Sequence, residues 1–173
     1  MPSAEPFSRI VRVDALPKEG QTVAIEATRA EREALAALYK LPSIEALSAS
    51  LTLRRSTRGG VRVKGAIHGE LTQICVVTLD SFPSAIDEEI DVRFAPRAED
   101  DKAGETVQTV LLNEEEPDPL IDNKIDLGAL AAEFFALGID PYPRKPGVAF
   151  EPPSGEGARA TPFSILRSAK RSE

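Results

Sequence analysis

Between residues 6 and 27 the chain carries two short extended runs. Residues 6–13 are β-branched and aromatic without strict alternation, and residues 16–20 (Leu-Pro-Lys-Glu-Gly) have turn chemistry. Residues 21–27 alternate, with Val23, Ile25 and Ala27 on one face, so two strands joined by a loop are predicted. Thr28 and Glu31 then stand at capping-box spacing, where hydroxyl and carboxylate each satisfy an orphan amide, and a helix of about three turns should follow. Ala34, Leu35, Leu38 and Leu41 have the spacing of one buried stripe, and Pro42 should stop the helix.

From residue 44 the period becomes twofold. Residues 44–55 and 61–68 flank Ser56-Thr57-Arg58-Gly59-Gly60, whose glycines permit a hairpin turn. In the second of these strands Val61, Val63, Gly65 and Ile67 share one face, opposite Arg62, Lys64, Ala66 and His68. Further strands are predicted over 70–79 and over 85–94, where Ile86, Ile90, Val92 and Phe94 oppose Asp87, Glu89, Asp91 and Arg93. Residues 96–105 are charged and read as an exposed loop, residues 106–112 as one more strand, and 114–119 as an acidic, proline-bearing connection. Asp126 is a good N-cap for a second, strongly apolar helix ending at Gly138 with Pro141 beyond it. The rest of the chain has linker chemistry, with a short terminal helix predicted over 162–170. The expected fold is α+β: an antiparallel sheet or partly closed barrel of about six strands with two packed helices. It should form a single domain over residues 1–150, followed by a flexible tail over 151–173.

At 173 residues with 42% apolar and 28% charged positions, the chain has enough material for one core. It lacks a long apolar run and a basic leader, so neither a membrane span nor secretion is expected, and the cytoplasm is the expected compartment. The 28 acids and 21 bases give −7, against a protein basic all over, but the charges are segregated. Residues 46–69 contain no acid and five bases, namely Arg54, Arg55, Arg58, Arg62 and Lys64. Residues 80–126 hold fifteen acids and four bases, and the last stretch turns basic again from Arg144 and Lys145. These seven cations are candidate RNA contacts, because a row of bases can track a phosphate backbone. Against this stands cross-strand pairing with the acidic face of Asp87, Glu89 and Asp91, which uses the same side chains for modest stability. No aromatic residues interleave the bases, as a single-strand stacking platform requires.

Catalytic chemistry finds little support. His68-Gly69-Glu70 matches the H-x-E half of a zinc deaminase signature, but the P-C-x-x-C half is missing. The single cysteine, Cys75, has no second histidine to activate it and reads as a small buried residue. No nucleophile and base pair or metal-ligand set is visible, so neither an enzyme nor a cofactor is expected.

Two segments resemble a known family. Val63-Lys64-Gly65-Ala66-Ile67-His68-Gly69-Glu70-Leu71-Thr72-Gln73-Ile74-Cys75-Val76-Val77-Thr78-Leu79-Asp80 is similar to the central strands of the YceD family, the large ribosomal RNA subunit accumulation proteins. Ile125-Asp126-Leu127-Gly128 and the following helix, with Asp140-Pro141-Tyr142-Pro143-Arg144-Lys145, resembles its second signature, and the order of the segments fits the alphaproteobacterial form. Gly65, Cys75, Asp126, Leu127, Pro141 and Pro143 carry the likeness. Many members have a C-x-x-C pair where this chain has Cys75 and Thr78, so a metal knuckle does not transfer here. The resemblance implies a non-enzymatic role in accumulation of large-subunit ribosomal RNA, with that RNA or a ribosomal protein as partner. Two readings follow: contact with RNA through the basic hairpin, or an acidic adaptor for a basic ribosomal protein that does not touch RNA.

Overall fold

A computed structural model describes residues 6–56, 59–96 and 117–149. Four of its strands form an antiparallel meander: β2 (Gln21–Glu26), β3 (Ser43–Arg55), β4 (Val61–Ile74) and β5 (Ser81–Pro96). Short β6 (Asp118–Leu120) adds parallel to the end of β5, so the five-stranded sheet is mixed and open. A second sheet pairs β1 (Ile10–Arg12) with β7 (Lys124–Asp126). The helices are α1 (Arg29–Tyr39) and α2 (Leu127–Gly138).

Both helices lie on one face of the large sheet. Tyr39 of α1 donates its hydroxyl hydrogen to the Ala132 carbonyl of α2, and its ring lies 6.2 Å from that of Phe135. The inward residues of the meander, among them Leu47, Leu51, Leu53, Val63, Ile67 and Leu71, are sealed beneath them. This leaves the opposite face of β2 to β5 open to solvent.

The capping box at Thr28 and Glu31 forms as expected. The buried stripe expected on α1 forms only in part, with Leu35 buried and Leu41 packed against the core. Leu35 and Ala36 face inward with Tyr39, whereas Ala34 and Leu38 face solvent, because the bulk of Tyr39 and its bond to α2 fix the helix rotation. The helix also ends before Pro42. Lys40 adopts a left-handed φ of 58°, and the N–H groups of Lys40 and Leu41 return to the carbonyls of the last turn in a Schellman arrangement.

The first extended segment does not pair with β2. Its strand is confined to Ile10–Arg12 and runs along β7, and a 3₁₀ turn over Val13–Ala15 redirects the chain. The Arg55 guanidinium holds that turn by donating to the carbonyls of Val13, Asp14 and Leu16.

β4 continues through Gly69, where a break between two strands was expected. A Cβ there would lie 2.5 Å from Cε2 of Phe135, so this glycine lets α2 dock on an unbroken strand. β5 is correspondingly longer than predicted and begins directly after the turn at residues 75–80. Gly65 meets a tighter restriction: a Cβ would stand 1.9 Å from the carbonyl oxygen of Ser50, so β3 lies against β4 with no room for a side chain there.

A two-residue turn that hydrophobic patterning missed joins β6 to β7; it is closed by a bridge between Ile121 and Lys124, while the two strands belong to different sheets. The turn residues Asp122 and Asn123 both have positive φ (53° and 54°), the pairing a type I′ turn requires. Asp126 then caps α2 by accepting from the N–H groups of Gly128 and Ala129, and also from Arg9 N–H and the Ser8 hydroxyl. Of the loop expected over 96–105 only Pro96 is described, as the last residue of β5; the expected strand over 106–112, the tail over 151–173 and its terminal helix over 162–170 lie outside the described residues.

Candidate nucleic-acid interface on the open sheet face

Strand pairing converts separated sequence positions into rows across the open face. Arg54 on β3 stands opposite Arg62 on β4, which stands opposite Arg93 on β5. The next outward row is Thr22, Thr52, Lys64 and Asp91. Two rows of one face therefore gather four cations and one carboxylate at the hairpin end of the sheet. An open depression of about 590 Å³ lies here, lined by Thr52, Arg54, Arg62, Lys64 and Gly65.

The carboxylate is shared. Asp91 accepts two hydrogen bonds of 2.7 Å from Arg62 in a fork and lies 3.0 Å from Lys64 Nζ. The Arg62 hydrogen bond, followed by that of Lys64, holds the Asp91 carboxyl far below the usual carboxylate range, and the same bond raises the Arg62 guanidinium. All three side chains are about half exposed. Arg54 and Arg93 are exposed and form no ion pair among the described residues. One negative charge thus offsets one of four positive ones, and the end of the face stays cationic.

The sequence candidates do not converge on one place. Arg54, Arg62 and Lys64 come together on the open face, whereas Arg55, one residue from Arg54, turns to the opposite side and serves the Val13–Ala15 turn. Arg58 lies outside the described residues. Arg144 and Lys145 follow α2 and sit at the far end of β4, roughly 45 Å from the hairpin by the rise of a 14-residue strand. There Lys145 Nζ lies 3.8 Å from Asp80. Arg93, which sequence reasoning placed only among acids, completes the row. The outward alternation of residues 87–93 contained the signal, but its position opposite Arg62 depends on a register that the turn at 75–80 sets.

Farther along the same face the sign reverses. His68 Nδ1 lies 2.7 Å from Asp87, and Glu89 and Glu26 are exposed nearby. The Asp87 hydrogen bond is the largest cause of a raised His68 pKa, with Glu70 adding a smaller attraction. His68 faces the carboxylates of Asp87 and Glu70, and no group of three His, Cys, Asp or Glu suited to a metal exists among the described residues.

The family-like segments meet at the other pole. Val76 N–H donates to the Pro143 carbonyl at 2.9 Å, joining the β4–β5 turn to the segment that follows α2. Cys75 has no exposed surface. The Thr78 hydroxyl and the N–H groups of Lys145, Thr78 and Val77 converge on its sulfur and lower its pKa to about 6. The Thr78 hydroxyl is the largest of these causes. Pro141 and Pro143 lie in the segment thus anchored, Leu127 is fully buried at the start of α2, and Gly65 marks the strand contact described above.

The described residues form an α+β fold whose open sheet face is cationic at one end. The family model for "Large ribosomal RNA subunit accumulation protein YceD" matches residues 63–162, and the chain belongs to that family. The match spans both segments that meet at the β4–β5 turn and includes Lys64 through Arg93 of the open face. The family description places the chain in accumulation of large-subunit ribosomal RNA. No curated protein and no solved structure matches the chain. Among the described residues, no helix is long and apolar enough to cross a membrane.

Proposed function

We propose that this protein supports accumulation of large-subunit ribosomal RNA in the cytoplasm by touching RNA directly, without catalysing a reaction. The cationic end of the open face, Arg54, Arg62, Lys64 and Arg93, makes the contact. The observation that carries the reading is the row of three arginines on adjacent strands, of which the outer two have no ionic partner among the described residues. Phosphates attract such a row without demanding a base sequence, and the acidic half of the same face repels them, so a bound strand is held at one end of the sheet.

A specific observation supports the adaptor reading as second choice. Asp87, Glu88 and Glu89 are consecutive and exposed on β5, presenting carboxylates to both sides of the sheet, where a basic ribosomal protein would dock. α2 offers such a partner little, since Leu127, Leu130, Ala131 and Phe135 are consumed by the core.

Crosslinking in growing cells separates the two. Under the leading reading the protein crosslinks to large-subunit precursor RNA, and Arg54→Glu with Arg93→Glu abolishes this while leaving captured proteins unchanged. A wild-type protein that crosslinks only to proteins, and stays at the top of a low-salt gradient, overturns direct contact.

A further inference from the structure

We infer that the cationic end of the open face takes duplex RNA in preference to single strands; this rests on the RNA-contact reading above and names its substrate class. The first argument is the placement of aromatic rings. Single-strand platforms hold bases by stacking on exposed rings, worth about 1–3 kcal/mol per base. Of the described aromatics, Phe7, Phe82 and Phe135 are buried. Tyr39, Phe94 and Phe134 pack against the core, and exposed Tyr142 stands in the segment at the opposite pole. None of these described rings lies on the open face, so among the described residues an unpaired base finds no aromatic platform there.

What the face does offer suits a closed helix. Guanidinium groups on three adjacent strands, with strands about 4.8 Å apart, make a cationic row on the order of 10 Å long and no deeper than the side chains themselves. A duplex sequesters its bases and presents phosphates at higher density than a flexible strand, and such a row meets them without unstacking anything. Beside the row, Thr22 and Thr52 hydrogen-bond to each other through their hydroxyls at 2.9 Å, and Ser50 is exposed in the next row. These are the donors and acceptors that contact with the 2′-hydroxyls of an A-form minor groove calls for. The carboxylates of Asp87, Glu89 and Glu26 then limit the footprint to the hairpin half of the face.

The size of the preference follows from counterion release. With three net charges engaged, slopes of about 0.9 per phosphate for a duplex and 0.7 for a single strand separate the two by about sixfold at about 50 mM salt, before any hydroxyl contact is counted. The test uses the full chain and two probes: an RNA duplex of about 16 base pairs and a pyrimidine single strand of equal length, by fluorescence anisotropy across a salt series. Tighter binding to the duplex, lost in both Arg54→Glu with Arg93→Glu and the milder Arg54→Gln with Arg93→Gln, supports the inference. Circular dichroism must show both variants folded. Equal or tighter binding of the single strand overturns the duplex preference and leaves RNA contact standing. Failure of wild type to bind either probe at low salt overturns both.

Discussion

Replacing Asp91 by Asn removes the carboxylate that Arg62 and Lys64 share while keeping its size. In the wild type that charge offsets one of four cations at the hairpin end of the face. If phosphates are the ligand, the engaged charge rises from three to four, and the log–log salt slope on duplex RNA steepens from about −2.7 to about −3.6. Extrapolated from a common high-salt limit, affinity then increases by about fifteenfold at about 50 mM salt and about fourfold at about 200 mM. Stability moves the other way. Both lost ion pairs are roughly half exposed, so each contributes only about 0.2–1 kcal/mol, and the melting temperature should fall by no more than a few degrees. The assay is anisotropy with a labelled RNA duplex across the salt series, with a melt of the same sample. A variant that folds normally yet binds no tighter, with an unchanged slope, refutes the claim that this end of the sheet engages phosphates. A basic-protein ligand predicts the opposite sign.

Other outcomes test the framework that holds the site. Gly65→Ala forces a methyl to within 1.9 Å of the Ser50 carbonyl oxygen, a backbone atom without rotamers, so it should cost about 3 kcal/mol or more in urea unfolding; a loss below about 1 kcal/mol contradicts the close strand approach. His68 should titrate above its ordinary 6.5 by NMR, and Asp87→Asn should bring it down. Because the folded value is raised, the stabilisation from this pair is complete below the unfolded pKa and is lost as pH rises through the folded one. Cys75 should titrate at about 6 by thiolate absorbance, and Thr78→Val should raise it. Here the folded value lies below the ordinary 9.0, so the thiol's contribution is complete above pH 9 and disappears as pH falls through about 6.

Local chemistry made much of this fold legible. The Thr28–Glu31 box, the Asp126 cap and the twofold alternation of residues 61–67 each depend on interactions a few residues apart, and each is realised. Features set by distant partners were not legible. The rotation of α1 is fixed by a tyrosine reaching α2, and Gly69 resembles a strand break until Phe135 is seen to occupy its missing side chain. At the candidate site, alternation alone put Arg62 and Lys64 on an outward face. The loss of Arg55 to carbonyls some forty residues away and the gain of Arg93 from β5 both require tertiary geometry. Arg144 and Lys145 share the sign of the hairpin cations, but charge says nothing about position along a 14-residue strand.

The clasp between the beginning and the end of the described fold sets an order of assembly. β2 to β5 each pair with the neighbouring strand in sequence, β2 with β3 across α1, so this part of the sheet can form as soon as residue 96 is available. Ser8, Arg9 and β1, by contrast, find their partners only at Asp126 and β7, more than a hundred residues later. During synthesis the amino-terminal segment must wait, unpaired, until residues 124–126 have left the ribosome, and only then can the chain close over its own beginning.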